Sequence, residues 1–520
     1  MLGCEERPSI LDESLEISGP MVVGRYVAYL DHTRERLTIL RPYHGTVRHV
    51  ALGRRPASMS PSPHQDRLFV LCRGWLATHA DEVDESPSLH VVDPETGDVE
   101  VTHLASPYDE IAVSDDDRYA VVFFSANRDP SDTEVFRNPN SVTVINLESG
   151  ETFEKSVRSF GDVPRGVTFS PSTMAPLNPD GSLGTPRTLA VVFADGYITI
   201  LDVNHPERRE VTVRLALPGS SAVITPERVV FAPSTGTAYL RASGSNDVYV
   251  LTLTSRDSSD EDENDFVVSI NTLAAGSVPA DVALFNDGDR QMVLVANQQT
   301  EDVTVVDTQT AEFFTIDVGD PIDRILTYPP ENPEVAVLFS QASPRQSVYF
   351  LELDDVEAHR GRNLTELRSD HYIVRVELIP NRALALVTHD DTRSVMSVLN
   401  IAEQTLSPFT GHAGLVGYAL TVDGSLLAGY GQLQQRLGVV DLDHLSSHVV
   451  ALDHLPSSVL ALAATDDDLT DPELRTVVVD HGERFGMVTV LTEPLNSGRE
   501  GAFVMSGFLL QGIFDERYGE

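Results

Sequence analysis

The chain has 520 residues, with 37 basic and 79 acidic side chains, a formal charge of −42 and a pI near 4.5. A surface this acidic is repelled by a phosphate backbone, and no basic stripe offsets it, so nucleic acid is excluded as a partner. Hydrophobic residues make up 41% and charged residues 22%, an ordinary globular balance that excludes a disordered tail. The length passes the roughly 250–300 residues at which a single core stops growing, so several domains or a repeat array are expected.

Lys155 is the single lysine. An acid excess with almost no lysine suits a salty environment, where carboxylates keep the surface hydrated. Cys4 and Cys72 are too few for a disulfide framework. No run approaches 18 apolar residues, so no transmembrane segment is expected. The opening Met1-Leu2-Gly3-Cys4, followed by Glu5-Glu6, resembles the cleavage end of a bacterial lipoprotein signal. That resemblance implies a lipid anchor on Cys4, with residues 1–19 as a tether and an extracytoplasmic, membrane-attached location; without it, a cytoplasmic location is expected.

From residue 20 onward one unit recurs every 40 to 55 residues or so, the period of propeller blades rather than helical solenoids. The first copies fall at 20–52 and 56–104. The clearest begins at Asp109, with the turn Ser114-Asp115-Asp116-Asp117, the apolar run Tyr119 to Phe124, the alternating run Ser141 to Leu147 and the turn Glu148-Ser149-Gly150. Each segment is short, rich in β-branched residues and bounded by Asp, Asn, Ser or Gly, which is strand-and-turn grammar. Further copies follow at 163–216, 222–273, from Val282, at 322–367, 372–410, from Tyr418 and at 457–512. No long window carries apolar residues at i, i+3, i+4 and i+7.

The prediction is therefore an all-β chain, a β-propeller of about ten four-stranded blade-like repeats. Each blade needs neighbours to bury its two faces. Ten exceeds the usual four to eight per ring, so one wide ring or two smaller ones are expected. A boundary near Ala274-Ala275-Gly276-Ser277 would divide the blades into sets at 20–275 and 276–520.

The Asp-rich or Asp-Gly turn, the apolar strand ending in Ala-Asn and the run Ser141-Val142-Thr143-Val144-Ile145-Asn146-Leu147 resemble the YVTN-type β-propeller repeat of bacterial and archaeal surface proteins. The likeness is tight in three or four units. It implies a scaffold at the cell envelope, and similar repeats also occur in lactonase-like enzymes. Trp75 is the one tryptophan and no Trp-Asp pair closes a blade, unlike WD40 proteins.

Several second strands end in polar groups: His32, Asn127, Asp195, Asn297, His389 with Asp390, and Asp480 with His481. Equivalent loops share one propeller face, where these groups could present imidazoles and carboxylates to a polar ligand or a divalent cation such as calcium. The same residue types are also favoured in turns for backbone reasons. His444, His448 and His454 do not suit a metal, because a four-residue spacing brings two rings together on a helix rather than a strand. The acidic runs Asp257–Asp265 and Asp466–Asp471 read as solvated loops. No catalytic signature appears. The expected function is a non-catalytic envelope scaffold that engages a protein or glycan ligand through one face, with no cofactor. The alternatives are a metal-dependent propeller hydrolase or lactonase and an intracellular scaffold.

Overall fold

A computed structural model describes residues 14–75, 83–124, 138–157, 163–215, 224–256, 263–360, 362–390, 395–410, 415–463, 471–492 and 501–510. Cys4, Asn127, residues 257–262 and residues 466–468 lie outside them.

The local sequence builds one device repeatedly. In blade 1 the strands Ile17–Val23, Tyr26–Asp31, Arg36–Arg41 and Thr46–Ala51 pair as an antiparallel meander, with Ala28 opposite Ile39 and Leu30 opposite Leu37. The second and third strands are apolar and mostly buried on both faces, and second strands such as Tyr119–Phe123 and Leu426–Gly431 are wholly buried. Fourth strands such as Thr152–Ser156 alternate between exposed and half-buried residues. A two-sided apolar strand needs cover on both sides, which only neighbouring sheets supply.

Eight sheets are four-stranded and a ninth has seven strands. The seven-stranded sheet is two blades sharing the 15-residue strand Leu364–Leu378. Its first half pairs Leu364 with Leu351 and Arg368 with Ser347, and its second half pairs Val376 with Val387 and Leu378 with Ala385. Reading separate strands at 367 and 372 missed this continuity. Ser369-Asp370-His371 carries no Gly or Pro to break the extended backbone. The described residues therefore form ten blade-like units, at 17–51, 56–103, 110–156, 166–214, 225–273, 279–317, 324–368, 373–410, 415–451 and 458–506.

The turn residues act through specific bonds. Between first and second strands, Ser114 Oγ donates to Asp116 and accepts from the Tyr119 amide, and Thr421 Oγ1 does the same with Asp423 and the Leu426 amide. Between third and fourth strands, Asp93, Asn146 and Asp307 each accept from the amides two and three residues on. These Asx-type turns satisfy amides that no strand partner reaches.

The chain packs as two compact units, Met1–Glu110 with Val416–Asp441 and His448–Glu520, and Ile111–Leu415 with Leu442–Ser447. Residues 274–277 lie inside the second. In the first unit, blade 1 packs on blade 2 through Leu30, Leu37, Leu68 and Val70, and blade 9 on blade 10 through Leu437, Val439, Val477 and Val479. Blade 1 also packs on blade 10, joining Val27, Tyr29 and Leu40 to Val478, Val488 and Phe508. In the second unit, consecutive blades share equivalent clusters, such as Val121 and Val144 with Val192 and Leu201, or Leu294 and Val305 with Leu338 and Leu351.

Candidate functional site

The polar groups at the ends of second strands are bound into their own surroundings. His32 Nδ1 lies 2.7 Å from the Pro56 carbonyl oxygen and Nε2 lies 2.7 Å from Ser18 Oγ. A carbonyl only accepts, so Nδ1 carries the proton and Nε2 accepts from the serine hydroxyl. His481 repeats this arrangement, with Nδ1 3.1 Å from Leu455 O and Nε2 2.8 Å from Thr489 Oγ1. His389 Nε2 meets Ser397 Oγ at 2.8 Å, and its ring lies 5.7 Å from that of His371. Fully buried Asn297 donates to Ala275 O, Asp302 and Thr304 Oγ1 at 2.9, 2.7 and 3.0 Å.

A shared device emerges. In three blades the last residue of the second strand, or the residue just after it, clasps a hydroxyl seven or eight positions on, in the third strand. In two of them it also takes up a carbonyl from the loop entering the blade. The clasp spans the top of a hairpin and supplies partners for groups that would otherwise be buried without them.

Asp195 accepts from Arg165 and, at 2.9 Å, from Thr225 Oγ1. Asp390 is exposed, with its amide bonded to Tyr372 O. Asp480 sits beside His481 and accepts from Tyr29 OH at 3.0 Å, Ser457 Oγ at 2.6 Å and the Gly482 amide at 2.9 Å. Of the predicted set, only the sequence neighbours are brought together. Among the described residues, no hydrogen bond or ion pair joins two of these positions in different blades. No group of three or more His, Cys, Asp or Glu there could hold a metal ion. His444 lies in a turn and His448 in the strand Ser446–Ala451.

A concavity of about 590 Å³ lies in the first unit, between blades 1 and 2. Arg25 lies in the turn before the second strand of blade 1, Tyr26 opens that strand and Arg41 closes the third, which brings these side chains to one end of the sheet. Arg41 donates from Nε and Nη2 to the two carboxylate oxygens of Glu473, at 2.9 and 3.0 Å, and stands 5.8 Å from the Tyr26 ring centre. Arg25 pairs with Asp471 at 3.0 Å. Glu473 is 3% exposed and sits in the short turn Pro472–Arg475, whose first amide bond is accepted by Asp471. Burial pushes the Tyr26 phenol above its ordinary range; the Arg41 charge opposes this and the carboxylates of Glu95 and Glu473 add to it.

The opposite wall is the blade 2 turn 93–98. Asp93 caps it, Gly97 adopts a φ of +80°, and Arg48 donates to the Glu95 carbonyl. Glu95, Asp98 and Glu100 project from this wall. Sequence reasoning passed over these residues. The signal available was the acidic turn Asp93-Pro94-Glu95-Thr96-Gly97-Asp98, but nothing local placed Arg25, Tyr26 and Arg41 across from it.

Fold and contacts together define an all-β protein of β-propeller type, with several polar strand ends engaged in internal contacts and a charged cleft between blades 1 and 2. No protein-family model and no curated protein sequence matches the chain. Among solved structures it is similar to a dihydro-heme d1 dehydrogenase, NirN, in complex with DHE, at 12% identity over 74% of this chain and 73% of that one, with a TM-score of 0.40. A mitotic checkpoint complex structure is similar at 14% identity over 60% of this chain and 81% of that one, with a TM-score of 0.33. At these identities and scores, neither likeness bears on what this chain binds.

Proposed function

We propose that the protein is a non-catalytic β-propeller binding scaffold that engages a protein or glycan ligand at the cell envelope. The observation that supports this reading best is the commitment of the strand-end polar groups. A general base or nucleophile needs a lone pair free for substrate. In His32 and His481 both ring nitrogens are engaged by backbone or hydroxyl partners. The resemblance of the clearest repeats to the YVTN type supports an extracytoplasmic setting, and lipidation of Cys4 would supply the tether.

Two measurements test the proposal. Photo-crosslinking residues placed at exposed turn positions in the source cells should capture one discrete partner from neighbouring positions. An unbiased hydrolase panel should show no turnover. Turnover that disappears in a folded His389→Ala variant would overturn the scaffold reading. Mass spectrometry of the N-terminal peptide from membrane and soluble fractions tests the tether, with an acylated Cys4 expected in the membrane fraction.

A further inference from the structure

We propose that the outer edge of blade 5, the strand Phe266–Leu273, takes up an extended segment of a partner protein as an added strand. The cleft between blades 4 and 5 receives from that segment a hydrogen-bond donor at Asn264 and a carboxylate at Arg209. The proposal rests on the scaffold reading above and names the kind of protein segment it engages.

The free edge is the first observation. Phe266–Leu273 is the outermost strand of its sheet and pairs with Val248–Ser255 over eight residues without a bulge. The Arg256 amide donates to Asp265 O, and that register turns the amides and carbonyls of Phe266, Val268, Ile270 and Thr272 outward. Among the described residues, none of these outward groups has a hydrogen-bond partner. The outer strands of the other blades, apart from the shared Leu364–Leu378, span four to six residues, and most carry a charge or a proline. Phe266–Leu273 has none of the charges, prolines or bulges that keep natural edges from pairing, so a backbone can add to it.

The second observation lies beside that edge and is independent of it. A cleft of about 290 Å³ is lined by Arg209, Val211, Asn264, Phe266 and Val268, among others. Asn264 is 5% exposed. Its Nδ2 donates to the Arg209 carbonyl oxygen, which fixes the orientation of the amide, because a carbonyl only accepts. Its Oδ1 is then a buried acceptor with no donor. An acceptor left in that state destabilises the free protein, and a ligand N–H or O–H relieves it. The volume is near the lower bound of about 300 Å³ for small-ligand sites, which suits one side chain of a bound strand.

Charge selects the occupant further. In a chain of net charge −42, this cleft is balanced, with Arg209 and Arg256 against Glu210 and Glu263. Arg256 is held by Glu263, whereas exposed Arg209 has no ion-pair partner among the described residues. The charge left for a partner is therefore positive, and an acidic side chain complements it.

The test is fluorescence anisotropy with a labelled peptide, Thr-Val-Gln-Val-Glu-Val-Thr, titrated with the full chain. Its Gln and Glu stand two residues apart and share one face of a strand. Saturable binding is expected, weaker when the peptide's Gln is replaced by Leu. Val268→Pro with Thr272→Pro removes two outward amides, spares the inward ladder and should weaken binding about tenfold or more. Arg209→Gln, at an exposed position, should weaken it about threefold and erase the difference between the peptide and its Glu-to-Gln form, which keeps the test decisive if the proline variant does not fold. No saturable binding, or unchanged affinity in the folded variants, overturns the proposal. A dimer in sedimentation that the proline variant dissolves would put a second copy on this edge and overturn the assignment to a partner protein. A partner crosslinked equally well to the proline variant would overturn it too, yet leave the scaffold reading standing on another surface, whereas specific enzymatic turnover would remove the scaffold reading itself.

Discussion

Replacing Tyr29 with Phe isolates the polar lock between blades 1 and 10. Tyr29 is 3% exposed and donates its hydroxyl to Asp480 Oδ1 at 3.0 Å, across 451 positions of sequence. Burial first, then the adjacent Asp480 charge, raise the phenol far above its ordinary range, so the hydroxyl remains a donor at any pH the fold survives. The substitution removes one oxygen and keeps the ring, which packs 5.3 Å from the ring of Phe508. Asp480 retains Ser457 and Gly482 but loses one of three donors to a buried carboxylate. Hydrogen bonds to charged groups contribute about 1.5–3 kcal/mol, and that loss is expected here. Urea unfolding should show a lower midpoint with an unchanged slope. Hydrogen exchange should accelerate at the Ala463 amide, which bonds to Gly24 O between the same blades. The double variant with Asp480→Asn should be less destabilised than the sum of its parts. A Tyr29→Phe protein within about 0.5 kcal/mol of the parent, with Ala463 exchange unchanged, would refute the reasoning.

Asn297→Ala should cost about 1–3 kcal/mol in chemical denaturation, because it strips partners from Ala275 O and Thr304 at a fully buried position. Gly276→Ala should be worse still: φ is +153° and the new Cβ would meet the Asn297 side chain at 2.5 Å, so a parent-like melting temperature would contradict the packing. Burial holds His49 near pKa 4, with Arg36 adding to the effect, and burial likewise lowers His90. Both folded values lie below the unfolded value of about 6.5, so their contribution is complete above that pH and is lost as pH falls toward 4. The parent should lose more stability between pH 7 and 5 than a His49→Asn/His90→Asn variant, and an equal or smaller loss would show the sign to be wrong. The Cys72 thiol is pushed up to about 12 by burial, so iodoacetamide at pH 8 should label it only after unfolding, as read by peptide-resolved mass spectrometry.

The blade pattern was legible in the sequence because its causes are local. Period-two alternation, two-sided apolar runs such as Tyr119–Phe123 and Asx or Ser turns every few residues fix strands and hairpins within about 50 residues. The positions of His389, His481 and Asn297 at strand ends were equally legible. Their employment was not, because the same residue types serve a turn, a clasp or a ligand alike. Only the folded hairpin shows Thr304, Ser397 and Thr489 occupying them.

What the sequence by itself determined is the repeating four-stranded unit, its turn chemistry and its acidity. What tertiary structure decided is everything that depends on partners far apart in the chain. The fusion of two blades through Leu364–Leu378 follows from a backbone left unbroken where a turn was expected. The seating of Tyr29 on Asp480 and of Arg41 on Glu473 joins segments more than 400 residues apart. The cleft brings Arg25 and Arg41, paired with those distant acids, opposite the separately braced turn 93–98. Coulombic and hydrogen-bond terms act through space, and no local pattern in a chain encodes which charge will meet which.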